Sequence, residues 1–98
     1  KGKLNGVVLA VDKNNHKIKE EHFKNGKQNG LSLLLYASGK KKREVFYVNG
    51  LRMGHLIEYY ENSRLKKDVF YRNGKKDGLE TEWYDNGNKK KQANYKKG

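Results

Sequence analysis

Phe70-Tyr71-Arg72-Asn73-Gly74-Lys75-Lys76-Asp77-Gly78-Leu79-Glu80-Thr81-Glu82-Trp83-Tyr84-Asp85-Asn86-Gly87 is the stretch that decides the fold. Leu79 to Tyr84 is a six-residue run closed by Asp85-Asn86-Gly87, and a second run follows from Lys89. Six residues is a strand length, and neither run holds a helical period long enough to compete. Asn73-Gly74 opens the stretch with the strongest short-range hairpin signal, because glycine supplies the positive φ that tight turns require.

The same stretch recurs along the chain. Gly2, Gly26, Gly50, Gly74 and Gly98 are 24 residues apart, and Gly6, Gly30, Gly54 and Gly78 keep the same step. Gly39 and Gly87 share a third phase, so all eleven glycines fall into three columns. Aromatic residues follow the period too: Phe23, Tyr47, Tyr71 and Tyr95 form one column, and Tyr36, Tyr60 and Tyr84 another, with Asp12 as its departure. Leu35, Tyr59 and Trp83 stand just before the second column. A fixed period of this length is the mark of a repeat array. The copies run approximately 1–21, 22–45, 46–69 and 70–93, with a partial copy at 94–98, in a single array over 1–98. The third glycine column is lost at Asn15 and Ser63, and serine tolerates a left-handed backbone less readily than asparagine.

Two strands per copy predict an all-β fold: an elongated single-layer antiparallel meander of about eight strands, spanning about 40 Å at ~4.8 Å per strand. The expected strands are 7–12, 17–24, 31–36, 41–48, 55–60, 65–72, 79–84 and 89–96. A three-residue loop at 85–87, with Gly87 left-handed, would set Glu82 opposite Lys90, Glu58 opposite Lys66 and Ala10 opposite Ile18. That register puts like opposite like, and it groups Leu31, Leu33 and Leu35 with Val45 and Tyr47 on one face. The shifted alternative sets Leu33 and Ile57 against Glu44 and Asp68. The segment from Gly26 to Gly30 reads as a turn, since it lacks both the spacing of a phosphate loop and a following helix.

The fourth copy resembles the bacterial variant of the MORN repeat: an aromatic, Asn-Gly-Lys, a second glycine, and a Trp/Tyr pair before Asn-Gly. The resemblance covers nearly the whole chain and is strongest in the third and fourth copies. It implies an elongated antiparallel meander that binds other proteins. Many bacterial members are named as the antitoxin component of a toxin–antitoxin module, of the YwqK type, and others are scaffold arrays. Similar repeats precede the catalytic domain of some phosphatidylinositol-phosphate kinases. No kinase core stands in this sequence: there is no Gly-rich loop with its lysine and catalytic Asp/Asn set.

Nothing else in the sequence reads as catalytic. His16, His22 and His55 are scattered and there is no Cys, so no metal site or cofactor is expected. Glu80 and Glu82 alternate onto one face and are answered by lysines, as in a salt-bridged surface. No apolar run approaches the ~18 residues of a membrane-spanning helix. A cytoplasmic setting is the expectation, although the chain starts at Lys1 inside a repeat, where a signal peptide would be lost from view. The array is expected to continue past its ends or to have disordered ends, with terminal edges open to edge-to-edge self-association.

The formal net charge of +12, with 23 Lys and Arg against 11 acids, is either a solvated surface or an attraction to anionic partners. Lysine dominates, and no Arg-rich recognition strip marks nucleic acid as the target. The column Lys19, Arg43, Lys67 and Lys91 would form a cationic ladder for an acidic partner or phospholipid headgroups, with the acidic column Glu20, Glu44 and Asp68 on the opposite face. The stripe Tyr36, Tyr60 and Tyr84 is the candidate platform for a protein partner. The expected function is therefore a non-enzymatic protein-binding module, an antitoxin or scaffold component, with an anionic-surface binder as the alternative.

Overall fold

A computed structural model describes residues 3–96. Its strands are β1 (Gly6–Val11), β2 (Lys17–Lys24), β3 (Lys27–Gln28), β4 (Gly30–Leu35), β5 (Lys41–Val48), β6 (Leu51–Tyr59), β7 (Leu65–Arg72), β8 (Lys75–Trp83) and β9 (Lys89–Tyr95). All pair antiparallel in one sheet of order β1-β2-β4-β5-β6-β7-β8-β9, with β3 pairing β2. The described residues contain no helix, and the plate they form measures 46 × 38 × 13 Å. The expected meander is the observed one.

Two turn types alternate along it. Within each hairpin the loop is the three-residue kind: Gly87 N–H donates to Tyr84 O at 3.0 Å, Tyr84 N–H to Asn88 O at 2.8 Å, and Gly87 has φ +93°. Ser63 and Asn15 fill the corresponding positions at φ 70° and 67° despite their side chains. Between hairpins the turns have two residues, both left-handed: Asn49 and Gly50 at φ 50° and 84°, and Asn73 and Gly74 at 51° and 84°. This type I′ geometry matches the twist of the flanking strands.

Because these turns are so tight, β6 and β8 begin at Leu51 and Lys75, four residues before the expected 55 and 79. The second glycine column therefore lies inside strands. Gly54 and Gly78, at φ 84° and 86°, sit where β6 and β8 each use four residues against two of the partner strand. In the second copy the same irregularity breaks the strand at Asn29, which is why the short β3 brings the count to nine. The segment from Gly26 to Gly30 is thus not simply a turn: only Asn25-Gly26 turns the chain.

The register differs by one residue from the expected one. Trp83 pairs with Lys89 as the three-residue loop demands, but the next pair is Glu82 with Lys91, leaving Lys90 as an extra, bulged residue. Lys66, Lys42 and Ile18 are bulged in the same way, so Glu58 faces Lys67 and Ala10 faces Lys19. Leu33 and Ile57 therefore do stand opposite Glu44 and Asp68. Val45 and Tyr47 lie on the face away from Leu31 and Leu33. A second bulge had no counterpart in the like-opposite-like argument.

One face carries the core. Val45, Leu56, Val69 and Tyr71 are buried, with Tyr47 packed against them, and Ser32 and Glu80 occupy the same row. A roof of aromatic and cationic side chains crosses the strands beside that row. Tyr47 pairs with Arg52 and Tyr71 with Lys76. Arg52 hydrogen-bonds both tyrosine hydroxyls, at 3.3 and 3.1 Å, and lies over the Tyr71 ring, while Lys76 lies over Tyr95.

Replacing Ser63 by glycine should relieve its left-handed strain and raise stability by about 0.5–1 kcal/mol. Gly74→Val acts in the opposite sense. At φ +84° a Cβ would sit 3.2 Å from Leu51 Cδ2, and a loss of about 1–3 kcal/mol is expected. Thermal melts of the two variants should shift in opposite directions.

Candidate binding surfaces

The cationic column lies on the core face, but not alone. The register runs Ala10, Lys19, Leu34, Arg43, Glu58, Lys67, Glu82, Lys91 across the sheet. Two glutamates thus alternate with the last three cations. Lys67 also reaches Glu80 at 3.7 Å, and Lys19 reaches Glu21 at 3.8 Å.

The acidic column is on the opposite face, as its alternation implied. There Glu20 meets His22 at 2.8 Å, Asp68 meets His55 at 2.8 Å, and Glu44 accepts a 2.7 Å hydrogen bond from the Tyr59 hydroxyl. That bond, with partial burial and the acid's charge, pushes the Tyr59 phenol up to about 12. Two of the three histidines are therefore partners of this column, and His16 pairs with Asp12 at 3.3 Å. No group of three or more potential metal ligands occurs among the described residues.

The tyrosine column is built into the repeat. Tyr36 donates to Tyr59 O at 2.7 Å and Tyr60 to Trp83 O at 2.6 Å, so each hydroxyl fastens its turn to the next copy. Both rings are half-buried, whereas Tyr84 is 50% exposed. Over these rings stand the bulged lysines: Lys42 over Tyr36 at 5.7 Å, Lys66 over Tyr60 at 5.5 Å and Lys90 over Tyr84 at 5.7 Å. Sequence reasoning passed over this lysine column. Its signal was present, because the first copy loses both members together, with Ile18 for the lysine and Asp12 for the tyrosine.

Between adjacent copies, tyrosine, lysine and the cationic row enclose two notches related by the 24-residue period. One, of about 230 Å³, is lined by Leu34, Tyr36, Lys42, Arg43, Glu58, Tyr59 and Lys66. The other, of about 130 Å³, is lined by Glu58, Tyr60, Lys66, Lys67, Glu82, Trp83 and Lys90.

The comparisons with known proteins agree with this repeat. Residues 28–49 and 76–97 match the family described as MORN repeat variant. Those two segments, 22 residues each, carry the MORN-variant pattern. They begin two periods apart, and the copy between them contains Ser63 where the matched copies have Gly39 and Gly87. The family is a non-catalytic repeat module, and no kinase or other catalytic family is found. No curated protein and no solved structure matches the chain.

One charge of the array is buried. Glu80, 1% exposed, takes the row position that Leu56 holds in the preceding copy. Burial alone would raise its carboxyl, but bonds from Lys76 (2.9 Å) and Tyr95 and the charges of Lys76 and Lys67 outweigh it and hold the group below its ordinary 4.5. A carboxyl depressed on folding contributes stability above its unfolded value and loses it as the pH falls through the folded one. The melting temperature should therefore drop as the pH falls below 4.5. Glu80→Leu should flatten that drop, measured by circular dichroism.

Proposed function

We propose that the chain is a non-enzymatic binding module whose MORN-variant sheet holds a protein partner. The observation that carries this reading is the face opposite the core. A single layer cannot cover both of its sides, and here Val7, Leu9, Leu31, Phe46 and Leu79 are 54%, 57%, 38%, 48% and 52% exposed. Leu31, Phe46 and Met53 are consecutive partners across β4, β5 and β6, which makes their apolar surface continuous. Contiguous exposed apolar surface framed by polar groups is characteristic of a protein interface. The acids of this face, Glu20, Glu44 and Asp68, form that polar frame.

In this reading the array serves as a neutralising partner or a scaffold, in keeping with the binding and scaffold roles generally associated with MORN repeats. Leu31→Ser with Phe46→Ser exchanges exposed side chains and should leave the melting temperature within a few degrees. The doubly substituted chain should lose a stoichiometric partner, isolated on the wild type from the native cell, by tenfold or more, equivalent to about 1.4 kcal/mol. Retention of that partner at full affinity would remove the open face as the interface. Co-expression then separates the two roles, because a neutralising array suppresses its partner's toxicity and a scaffold does not.

A further inference from the structure

The two notches lie on the other side of the sheet, with the core, and are independent of the open face. Lys42, Arg43 and Lys66 set three positive charges around the first notch against the single carboxylate of Glu58. The second shares Lys66 with the first and adds Lys67 and Lys90, against the carboxylates of Glu58 and Glu82. Among the described residues, none of Lys42, Arg43, Lys66 or Lys90 forms an ion pair within 4 Å; the lysines that do are Lys17, Lys19, Lys41, Lys67 and Lys76. The bulge and the tyrosine ring beneath hold each of the three lysines at an exposed position with its ammonium unclaimed.

Volumes of about 130 and 230 Å³ are below the range of small-molecule pockets, roughly 300–1,000 Å³, and suit one side chain each. Equivalent points in the notches are two strands apart, about 9.6 Å. A polyproline II chain returns to the same side every third residue, about 9.3 Å along. A β-strand repeats at about 6.8 Å, and an amphipathic helix would need an apolar groove that this charged row does not offer. Glu58 lines both notches and so stands between them. It repels a continuous polyanion while leaving room for anions spaced by a full repeat.

We propose that the notches form a two-point receptor for an acidic peptide in the polyproline II conformation, with a carboxylate at every third residue. Glu58 is the selectivity element that disfavours nucleic acid and anionic membranes.

The test is fluorescence anisotropy with a labelled peptide of four Pro-Pro-Glu repeats. Wild type should bind it with a steep salt dependence. Lys42→Glu with Lys66→Glu should weaken binding more than tenfold, and Lys42→Gln with Lys66→Gln, which removes the charge without reversing it, should act in the same direction. Lys13→Glu with Lys75→Glu, an equal change of charge away from the notches, should stay within twofold. A peptide of identical composition with its glutamates contiguous should bind at least fivefold more weakly, and Glu58→Gln should erase that difference. The proposal is overturned if the Pro-Pro-Glu peptide does not bind or the contiguous peptide binds equally well. It is equally overturned if a twelve-nucleotide thymidine strand or phosphatidylserine vesicles displace the peptide from wild type at matched charge.

Discussion

Each two-residue turn donates a backbone hydrogen bond to the strand of the copy before it, and the array depends on that bond. Gly50 N–H reaches Gln28 O at 2.8 Å, Gly74 N–H reaches Arg52 O at 2.9 Å, and Gly26 N–H reaches Leu4 O at 2.9 Å. The bond forms only when the turn is short and both of its residues are left-handed, which is why Asn-Gly recurs at this phase. At the opposite end of the second and third hairpins the Tyr36 and Tyr60 hydroxyls make the matching connection to the following copy. With both ends fastened, the strands between them hold one spacing, and the core needs little apolar mass. Val45, Leu56 and Val69 are small, and the tyrosine–arginine–lysine roof completes their cover.

Most of this was legible from the period. Glycine and asparagine placed the turns, and six- to eight-residue runs placed the strands, because both signals are local backbone chemistry. The register was not legible, because pairing like with like assumes that both faces obey the same rule. Leu33 can stand opposite Glu44 because that pair lies on the open face, where Glu44 is satisfied by Tyr59 and Lys41. The bulge that produces this register falls at Lys42, Lys66 and Lys90, each in contact with the tyrosine six residues before it, and also at Ile18, which has no such partner. No alternation pattern encodes such a contact. The early starts of β6 and β8 were hidden for a related reason: Gly54 and Gly78 look like turn residues, yet act as irregularities inside a continuous strand.

The candidate surfaces were half legible. The columns were visible, and the acidic column fell on the face that alternation assigned. The interleaving of Glu58 and Glu82 among Arg43, Lys67 and Lys91 depends on strand pairing and emerged only from the fold. The same pairing turned Tyr36 and Tyr60 from a bare stripe into fasteners between copies. The two faces consequently have different chemistry: one is apolar and framed by acids, the other charged and notched.

The first copy is joined to the second more sparingly than any other neighbours. Its Asp12 offers no phenol to the next copy, and the pairing of β2 is split, at Lys19–Leu34 and Glu20–Leu33 with β4 and at Phe23–Gln28 and Lys24–Lys27 with the short β3. In an array where each unit contacts only its neighbours, cooperativity is transmitted junction by junction. The first hairpin should therefore open and reclose on its own while the later three remain one unit. Cooperative unfolding then has a boundary written into the chain at Asp12, where a single departure from the period uncouples one end of the molecule from the rest.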